Sequence, residues 1–316
     1  MNQPPNIIID TDPGTDDAIA LLAASVYFGS NICALVSSYG NTVGEQTYAN
    51  LVMLSRLLNI CAPIIKGSDV PIDKDAFVPT DYHGQNGLCD VQLPSAATPL
   101  YDGDFLVNLY SMIQQHRPVT YVAIGPLTNL ARLITRFPDV TNYIDCLVIM
   151  GGGLDVFNMP HQTEYNFSAD PVAVQTVLGS NIKKIFAPLD LTHKLSFSLS
   201  EIEEITGVAY PVPINTPTPH NLMAELFYKN HDTSLKHGNN GAIIHDVTPL
   251  AYMIDPRACE IKKFHISSDQ HGAIFANPDG CSVNILHHMD KRFLKDLLHH
   301  SYAKLSVNKA DAIEKK

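Results

Sequence analysis

Residues 7–18 read Ile7-Ile8-Ile9-Asp10-Thr11-Asp12-Pro13-Gly14-Thr15-Asp16-Asp17-Ala18, a short β-branched run followed by four aspartates. A compact apolar run bounded by turn residues is typical of a strand that is buried on both faces of a parallel sheet. Pro13-Gly14 predicts a tight turn, and Thr15 is a candidate cap for an apolar helix. The aspartates therefore fall between a strand and a helix, where open α/β sheets bind ligands.

The four aspartates have two competing explanations. Asp16 and Asp17, in the first helical turn, could simply complement the helix dipole. Asp10 and Asp12 lie at the strand end, and nothing nearby in the sequence neutralises them, so a bound cation explains them better. The stretch offers hard oxygen donors and contains neither histidine nor cysteine, which favours Ca²⁺ or Mg²⁺ over zinc.

A strand followed by Asp-x-Asp also resembles the opening of the haloacid-dehalogenase-like phosphatases. In that alternative Asp10 would be the nucleophile and Asp12 an acid or base. The same family has a lysine and a later pair of acids after a strand. The nearest candidate for that pair, residues 67–73, has the wrong spacing and does not follow a strand of the right kind.

Composition limits the class of protein. The 316 residues are 45% hydrophobic and contain no repeat or charge run, so we expect one domain over residues 1–316, with a frayed tail at 307–316. The formal net charge of −11 argues against nucleic acid and anionic membranes as partners. The N-terminus does not match a signal peptide, which predicts a cytoplasmic location. Six dispersed cysteines predict buried, reduced thiols.

Strand and helix patterns alternate along the chain, which predicts right-handed crossovers and parallel neighbours. We expect strands at 32–37, 63–66, 119–124, 146–150 and 183–189, helices at about 45–58, 105–115, 221–230 and 291–299, and antiparallel edge strands within 261–285. The predicted fold class is α/β: an open, mostly parallel Rossmann-like sheet with helices on both faces and the active site at the carboxyl ends of the strands.

Polar residues follow several of these strands. Gly125-Pro126-Leu127-Thr128 is an elbow whose backbone carbonyls suit a hard cation. Glu164 and Asn166 would project to one side of an extended segment and suit the hydroxyls of a sugar. His245-Asp246, at a helix start, suggests proton transfer. Taken alone, each is equally consistent with an ordinary turn, polar loop or helix cap.

Together these segments resemble the inosine-uridine preferring nucleoside hydrolase family, from Ile7 to about Leu298. The matching motifs are Asp10-Thr11-Asp12-Pro13-Gly14-Thr15-Asp16-Asp17-Ala18, Tyr39-Gly40-Asn41, His83-Gly84-Gln85-Asn86-Gly87, Ala123-Ile124-Gly125-Pro126-Leu127-Thr128-Asn129, Met150-Gly151-Gly152-Gly153, Glu164-Tyr165-Asn166 with Asp170-Pro171, and His245-Asp246. The first motif is highly specific, and the whole set occurs in the family's order.

The resemblance implies Ca²⁺-dependent hydrolysis of the N-glycosidic bond of ribonucleosides such as inosine or uridine, through an oxocarbenium-like transition state. Asp12 would take a proton from a metal-bound water, His245 would protonate the leaving base, and Asp10 would be a supporting acid. The implied Ca²⁺ ligands are Asp12, Asp17, the main-chain oxygen of Thr128, and Asp246. The implied substrate-binding residues are Asp16, Asn41, His83, Asn158, Glu164, Asn166 and Asp246, with His83 near the base.

Three further expectations complete the prediction. The segment 210–237 matches no family motif, and we expect it to form the wall beside the base, including its proline-rich run and Phe227, Tyr228 and His231. Family members are commonly dimers or tetramers, so a homodimer or homotetramer is implied. A relative that binds ribose or Ca²⁺ without catalysis is a third alternative, and the retention of every acid argues against it.

Overall fold

The computed structural model describes residues 4–94, 103–213 and 218–307. Within them, nine strands form one sheet in the order β3-β2-β1-β4-β5-β6-β9-β7-β8. The strands are β1 (Ile7–Thr11), β2 (Ile32–Ser37), β3 (Ile64–Lys66), β4 (Val119–Ala123), β5 (Ile144–Met150), β6 (Lys184–Ala187), β7 (Cys259–Ser268), β8 (Ile274–Ala276) and β9 (Cys281–Met289). Neighbouring strands are parallel from β3 through to β9, and β7 is antiparallel to both β9 and β8.

Helices connect these strands. They are α1 (Thr15–Tyr27), α2 (Gly44–Leu57), α3 (Thr80–His83), α4 (Phe105–His116), α5 (Thr128–Arg136), α6 (Tyr165–Ala169), α7 (Pro171–Gly179), α8 (Leu189–Thr192), α9 (Leu199–Thr206), α10 (Pro219–Lys236), α11 (Val247–Ile254) and α12 (Lys291–Val307). The predicted fold class is confirmed. The predicted tail at 307–316 lies almost wholly outside the described residues.

The first strand explains why helices cover both faces of the sheet. Ile7 and Ile9 are fully buried in a core that contains residues of α1, α10 and α12. Ile8 points the other way, into a second core with residues of α5 and α7. Because successive side chains of a strand face opposite sides, a continuous apolar run is required wherever both sides are covered. The prediction of a doubly buried strand is confirmed.

Several element boundaries differ from their predictions. The long segment after β3 contains the short helix α3, where no element was predicted. Helix α10 is longer at both ends, because Thr218 caps it and Pro219 occupies its first turn. The predicted edge strands are confirmed, although β9 also pairs in parallel with β6. The last helix continues to Val307.

The cap of α1 is not the predicted one. Gly14 is the N-cap and Thr15 is the first helical residue. The Asp17 carboxylate accepts a hydrogen bond from the Gly14 main-chain N–H at 2.9 Å, which is the bond that the third helical residue makes in a capping box. This bond fixes the orientation of the Asp17 carboxylate.

The structure also shows the state of the cysteines and the character of the helices. All six cysteines are unpaired, as predicted, but only Cys33 and Cys146 are buried and Cys61 is exposed. In the described part of the chain, none of the helices has the length and apolar character needed to span a bilayer.

Candidate active site

A cavity of about 520 Å³ opens at the carboxyl ends of the parallel strands. Asp12 follows β1, Asn41 follows β2, Ile124 follows β4 and Met150 ends β5, and all four line the cavity. Parallel strands bring residues that are far apart in sequence to one edge of the sheet. The location predicted for the active site is thus the location of a real cavity.

Four buried carboxylates gather at this edge, and we call them the acidic cluster: Asp12, Asp16, Asp17 and Asp246. Oxygens of Asp16, Asp17 and Asp246 lie within 4.8 Å of one another. The first two come from the first turn of α1, and Asp246 precedes α11 without forming a side-chain cap on that helix. The acids therefore converge on one another, and helix capping does not account for Asp246.

Asp12 is held tightly by its surroundings. Its Oδ2 accepts a hydrogen bond from the Asn41 main-chain N–H at 2.8 Å, and the Asn41 side chain donates to the Asp12 carbonyl at 3.0 Å. A Cβ at Gly40 would lie 1.9 Å from Oδ2, and a Cβ at Gly125 would lie 2.5 Å from Oδ1. These two glycines are therefore required because the Asp12 carboxylate passes directly against their backbone.

Asp17 has both carboxylate oxygens engaged. Oδ1 accepts from the Thr11 hydroxyl at 2.5 Å, and Oδ2 accepts from the Asn41 side-chain amide at 2.9 Å in addition to Gly14. Asn41 thus connects Asp12 to Asp17. Its side-chain N–H groups are committed to these acids, which makes Asn41 an organiser of the cluster as well as a residue of the cavity wall.

Burial dominates the electrostatics of the acidic cluster. It raises the pKa of Asp12, Asp17 and Asp246 and raises the pKa of Asp16 to about 7. The negative charge of Asp17 adds to this effect at Asp12 and Asp16, and the charge of Asp16 adds to it at Asp246. Four buried acids with no countercharge resist ionisation together, and a divalent cation would reverse that preference.

Two oxygens of the cluster have no partner. Oδ1 of Asp12 and Oδ1 of Asp16 are buried and accept no hydrogen bond from any residue in the described ranges. A buried acceptor left unpaired is costly, so such atoms usually indicate a missing ligand. The donors in the cluster are all oxygen, so the residues fit a hard cation such as Ca²⁺.

Thr128, which the resemblance implies as a metal ligand, lies outside the lining of the cavity. It is the first residue of α5, where its carbonyl belongs to the hydrogen-bond ladder of the helix, and it does not line the cavity. Its hydroxyl donates to Asp170 at 2.7 Å. The residue of this elbow that reaches the cavity is Ile124, whose carbonyl accepts a hydrogen bond from Asn166 at 3.2 Å. Of the two residues, Ile124 therefore lines the cavity and Thr128 does not.

Asp10 lies behind the cluster. Its two oxygens accept hydrogen bonds from Tyr121 at 2.7 Å and from the Asn129 side chain at 2.9 Å. Burial raises its pKa to about 7, and Asp10 does not line the cavity. This arrangement agrees with a supporting acid.

Glu164 and Asn166 both line the cavity, but not from an extended segment. Glu164 is the N-cap of α6, and its carboxylate accepts main-chain hydrogen bonds from Asn166, Phe167 and Gly152. Burial raises its pKa to about 7. The two residues are two apart in sequence, which predicts an extended segment, and the cap signal of a five-residue helix is too weak to correct that prediction.

Asn158 is also part of the cavity wall, and its side-chain oxygen accepts from the Tyr165 main-chain N–H at 2.9 Å.

Tyr165 was not predicted to have a role. Its hydroxyl lies 2.7 Å from the Gly40 carbonyl and 2.9 Å from the Phe77 carbonyl, and its ring lines the cavity. Its position between Glu164 and Asn166 was the only signal that sequence offered.

Three rings form what we call the aromatic wall: Tyr82, His83 and His237. The Tyr82 ring centroid lies 4.9 Å from that of His83 and 4.8 Å from that of His237. All three line the cavity. Burial, and then the nearby His237, lower the pKa of His83 to about 3. Sequence reasoning names His83 and includes His237 at the end of the predicted wall segment 210–237, but it gives Tyr82 no role.

His245 lines the cavity next to the acidic cluster. Its Nδ1 lies 2.8 Å from the Thr192 hydroxyl, and its ring centroid lies 5.6 Å from that of His193, another unpredicted lining residue. Burial, followed by the neighbouring His193 and His83, lowers the pKa of His245 to about 3. This lowering runs against the near-neutral pKa that favours acid catalysis by a histidine.

The prediction that Phe227, Tyr228 and His231 form the wall beside the base is wrong, although His237, at the end of the predicted segment 210–237, does line the cavity. All three are buried within α10 and do not line the cavity. Phe227 packs edge-on against Phe197 at 5.9 Å, and the Tyr228 hydroxyl donates to the Val208 carbonyl at 2.6 Å. The residues from this part of the chain that do line the cavity come after the helix ends.

Comparison with known proteins gives a consistent result. Residues 7–296 match the family model described as inosine-uridine preferring nucleoside hydrolase. The chain is 32% identical over 254 residues to the pyrimidine-specific ribonucleoside hydrolases RihA of Salmonella typhimurium and Escherichia coli, and each match covers 79% of both proteins.

Solved structures share the fold. A purine-preferring ribonucleoside hydrolase from Gardnerella vaginalis superimposes with a TM-score of 0.84 at 22% identity, covering 95% of this chain and 99% of that one. An inosine-uridine preferring nucleoside hydrolase from Bacillus anthracis gives a TM-score of 0.72 at 16% identity, covering 94% and 98%. At these identities the likeness establishes the architecture.

Proposed function

The chain belongs to the inosine-uridine preferring nucleoside hydrolase family, and on that basis we propose that it hydrolyses the N-glycosidic bond of ribonucleosides to free base and ribose. Pyrimidine ribonucleosides are the first substrates to test, since relatives at 32% identity are named for them. The observation that supports this proposal most directly is the acidic cluster, in which Asp12 and Asp16 each have a buried oxygen without a partner among the described residues and line a cavity large enough for a nucleoside.

The residues present fit a calcium ion. We propose that Asp12, Asp17 and Asp246 hold it, and that the main-chain carbonyl of Ile124 takes the place assigned to Thr128. The close approach of Asp16 to Asp17 and Asp246 makes it a further neighbour of the ion. When bound, Ca²⁺ would orient the sugar hydroxyls and lower the pKa of a coordinated water.

Asp12 is proposed as the general base. Its Oδ2 is fixed by Asn41, while Oδ1 has no hydrogen bond within the described residues and is free to accept a proton from the attacking water. The sugar becomes positively charged as its bond to the base breaks, as in glycoside hydrolysis. The surrounding carboxylates stabilise that charge without having to reorganise.

The remaining cavity residues would bind the sugar and assist the leaving base. Glu164, Asn166 and Asn158 are held by main-chain contacts on the same side of the cavity, which keeps their polar groups in place for hydroxyls. His245 would act on the departing base. Because burial lowers its pKa, it enters the reaction neutral and acts first as a hydrogen-bond partner.

The two alternative functions have less support. A phosphatase with Asp10 as nucleophile needs a free carboxylate in the cavity, whereas both oxygens of Asp10 are hydrogen-bonded and the residue is enclosed. The retention of every acid of the cluster argues against a non-catalytic binding protein. The cytoplasmic location and the homodimeric or homotetrameric state stay predictions.

The deciding experiment measures released reducing sugar from uridine, cytidine and inosine, with and without a chelator. Wild-type protein should release ribose, and chelation followed by added Ca²⁺ should abolish and restore the activity. A matched control is Asp279→Asn, which changes an exposed aspartate of the β8–β9 turn. Phosphate release from a phosphomonoester without ribose release would favour the phosphatase, and tight nucleoside binding without turnover would favour the binding protein.

A further inference from the structure

His237 ends helix α10 at the mouth of the cavity and belongs to none of the recognised motifs. It is the C-cap of the helix, and its main-chain N–H donates to the carbonyls of Thr233 and Ser234 at 3.2 Å each. Its ring also returns to the helix, since Nδ1 lies 2.9 Å from the Thr233 carbonyl. Both contacts use carbonyls that the helix end would otherwise leave unpaired, and together they fix the ring in place.

The ring contact determines which nitrogen of His237 carries the proton. A carbonyl oxygen can only accept a hydrogen bond, so Nδ1 must be the donor. A neutral imidazole has one N–H, and its other nitrogen then offers a lone pair. Among residues 4–94, 103–213 and 218–307, Nε2 of His237 has no hydrogen-bond partner. His237 therefore brings an unused acceptor to the cavity that its ring lines.

The groups around His237 suit a nucleobase. Its ring contacts Tyr82 at an interplanar angle of 43°, and Tyr82 contacts His83 at 49°, so the acceptor adjoins a group of tilted aromatic rings. Asn239 lines the cavity two residues further on, and its side-chain amide makes no hydrogen bond within the described residues. Aromatic faces stack on any base, whereas hydrogen-bonding groups at the edge distinguish one base from another.

We propose that Nε2 of His237 reads the edge of the substrate base by accepting a hydrogen bond from a ring N–H. This inference rests on the proposed function and names the substrate class for it: nucleosides of the uracil type, which carry N3–H. Cytosine has a lone pair at the same ring position, so two acceptors would face each other there. The prediction is a preference for uridine that depends on the His237 ring.

The main test compares uridine with 3-deazauridine, in which a C–H replaces N3–H, at pH 8. For wild-type protein and His237→Phe, kcat/KM is measured on both nucleosides. The uridine preference is the kcat/KM for uridine divided by that for 3-deazauridine, and the intrinsic reactivity of each nucleoside cancels when this ratio is compared between the two proteins. The ratio should fall about fivefold to tenfold in the variant, the loss expected for one hydrogen bond. His299→Phe, an exposed histidine on α12, is the matched control and should keep the wild-type ratio.

An unchanged ratio in an active His237→Phe enzyme overturns the inference and leaves the proposed function standing. Wild-type protein that hydrolyses neither nucleoside overturns the proposed function, and the inference with it. An independent readout is the long-range ¹H–¹⁵N spectrum of the protein at pH 8, which reports the tautomer directly. His237 should show a protonated Nδ1 and an unprotonated Nε2, and a proton on Nε2 would contradict the inference whatever the activity.

Discussion

The acidic cluster and the aromatic wall face the same cavity and are built in different ways. Three of the four acids come from a single twelve-residue stretch, held by strand β1 and the first turn of α1. The aromatic wall takes Tyr82 and His83 from a four-residue helix and His237 from the end of α10. The first is rigid and specified locally, and the second depends on the docking of separate segments. We infer that chemistry resides in the cluster and substrate choice in the wall.

The largest effect should come from removing the proposed base. Asp12→Asn keeps the shape of the side chain and should lower kcat for uridine by about a thousandfold, the range of general acid–base contributions. The protein should stay folded, because the change removes a buried charge. Ribose release and the circular dichroism spectrum check the two statements. Near-normal kcat in the variant would show that the cluster does not do the chemistry.

A smaller loss is expected when the acid stays and only its position changes. Gly40→Ala places a Cβ where the Asp12 Oδ2 now lies, so the carboxylate must move. A displacement of about 1 Å can cost about a hundredfold in rate. Gly179→Ala is the matched control, since nothing lies within 4 Å of its Cβ position, and it should keep full activity. Equal kcat values for the two variants would contradict the positioning argument.

The aromatic wall should show a different kinetic signature. Tyr82→Ala removes the ring between His83 and His237 and should raise KM about tenfold, the lower part of the range for losing base stacking, while kcat changes little. Steady-state kinetics with uridine separates the two constants. If kcat of Tyr82→Ala falls as far as that of Asp12→Asn, then the aromatic wall also takes part in the chemical step, which contradicts the inference.

The smallest expected effect is thermal and concerns the cation. Millimolar Ca²⁺ should raise the melting temperature of wild-type protein by about 3–6 °C, because a ligand that binds only the folded state stabilises it. Asp246→Asn should lose most of this shift, whereas Tyr82→Ala should keep it. Differential scanning fluorimetry with and without a chelator measures all three. A shift that survives in Asp246→Asn would place the ion elsewhere.

The acidic cluster could be predicted from the sequence because its determinants are local. The apolar run before Asp10 predicts the strand, and Pro13-Gly14 predicts the turn that presents the acids. The packing of α11 against α1 then places Asp246 beside them, a position that the family resemblance supplied and periodicity did not. The role of Thr128 stays a prediction, because a sequence pattern identifies a turn without showing which of its carbonyls faces the cavity, and Thr128 itself does not line it.

The aromatic wall could not be predicted, for a physical reason. Tyr82 lies in a segment whose sequence shows no periodicity, and its contacts with His83 and His237 fix its position. Phe227 and Tyr228 were assigned to the cavity because aromatic residues suit a base, yet they face the core from the interior of α10. Which face of a helix is buried depends on its neighbours, and α10 packs on α1, more than two hundred residues earlier in sequence.

The burial of β1 on both faces has a consequence for hydrogen exchange. A strand in the middle of a sheet, enclosed by two cores, can release its amide protons only when the whole domain opens. The amides of Ile8 to Thr11 should therefore be among the slowest to exchange with deuterium, and those of the short helix that carries Tyr82 and His83 should be among the fastest in the cavity wall. The catalytic acids would then keep their arrangement while the entrance for the substrate opens and closes.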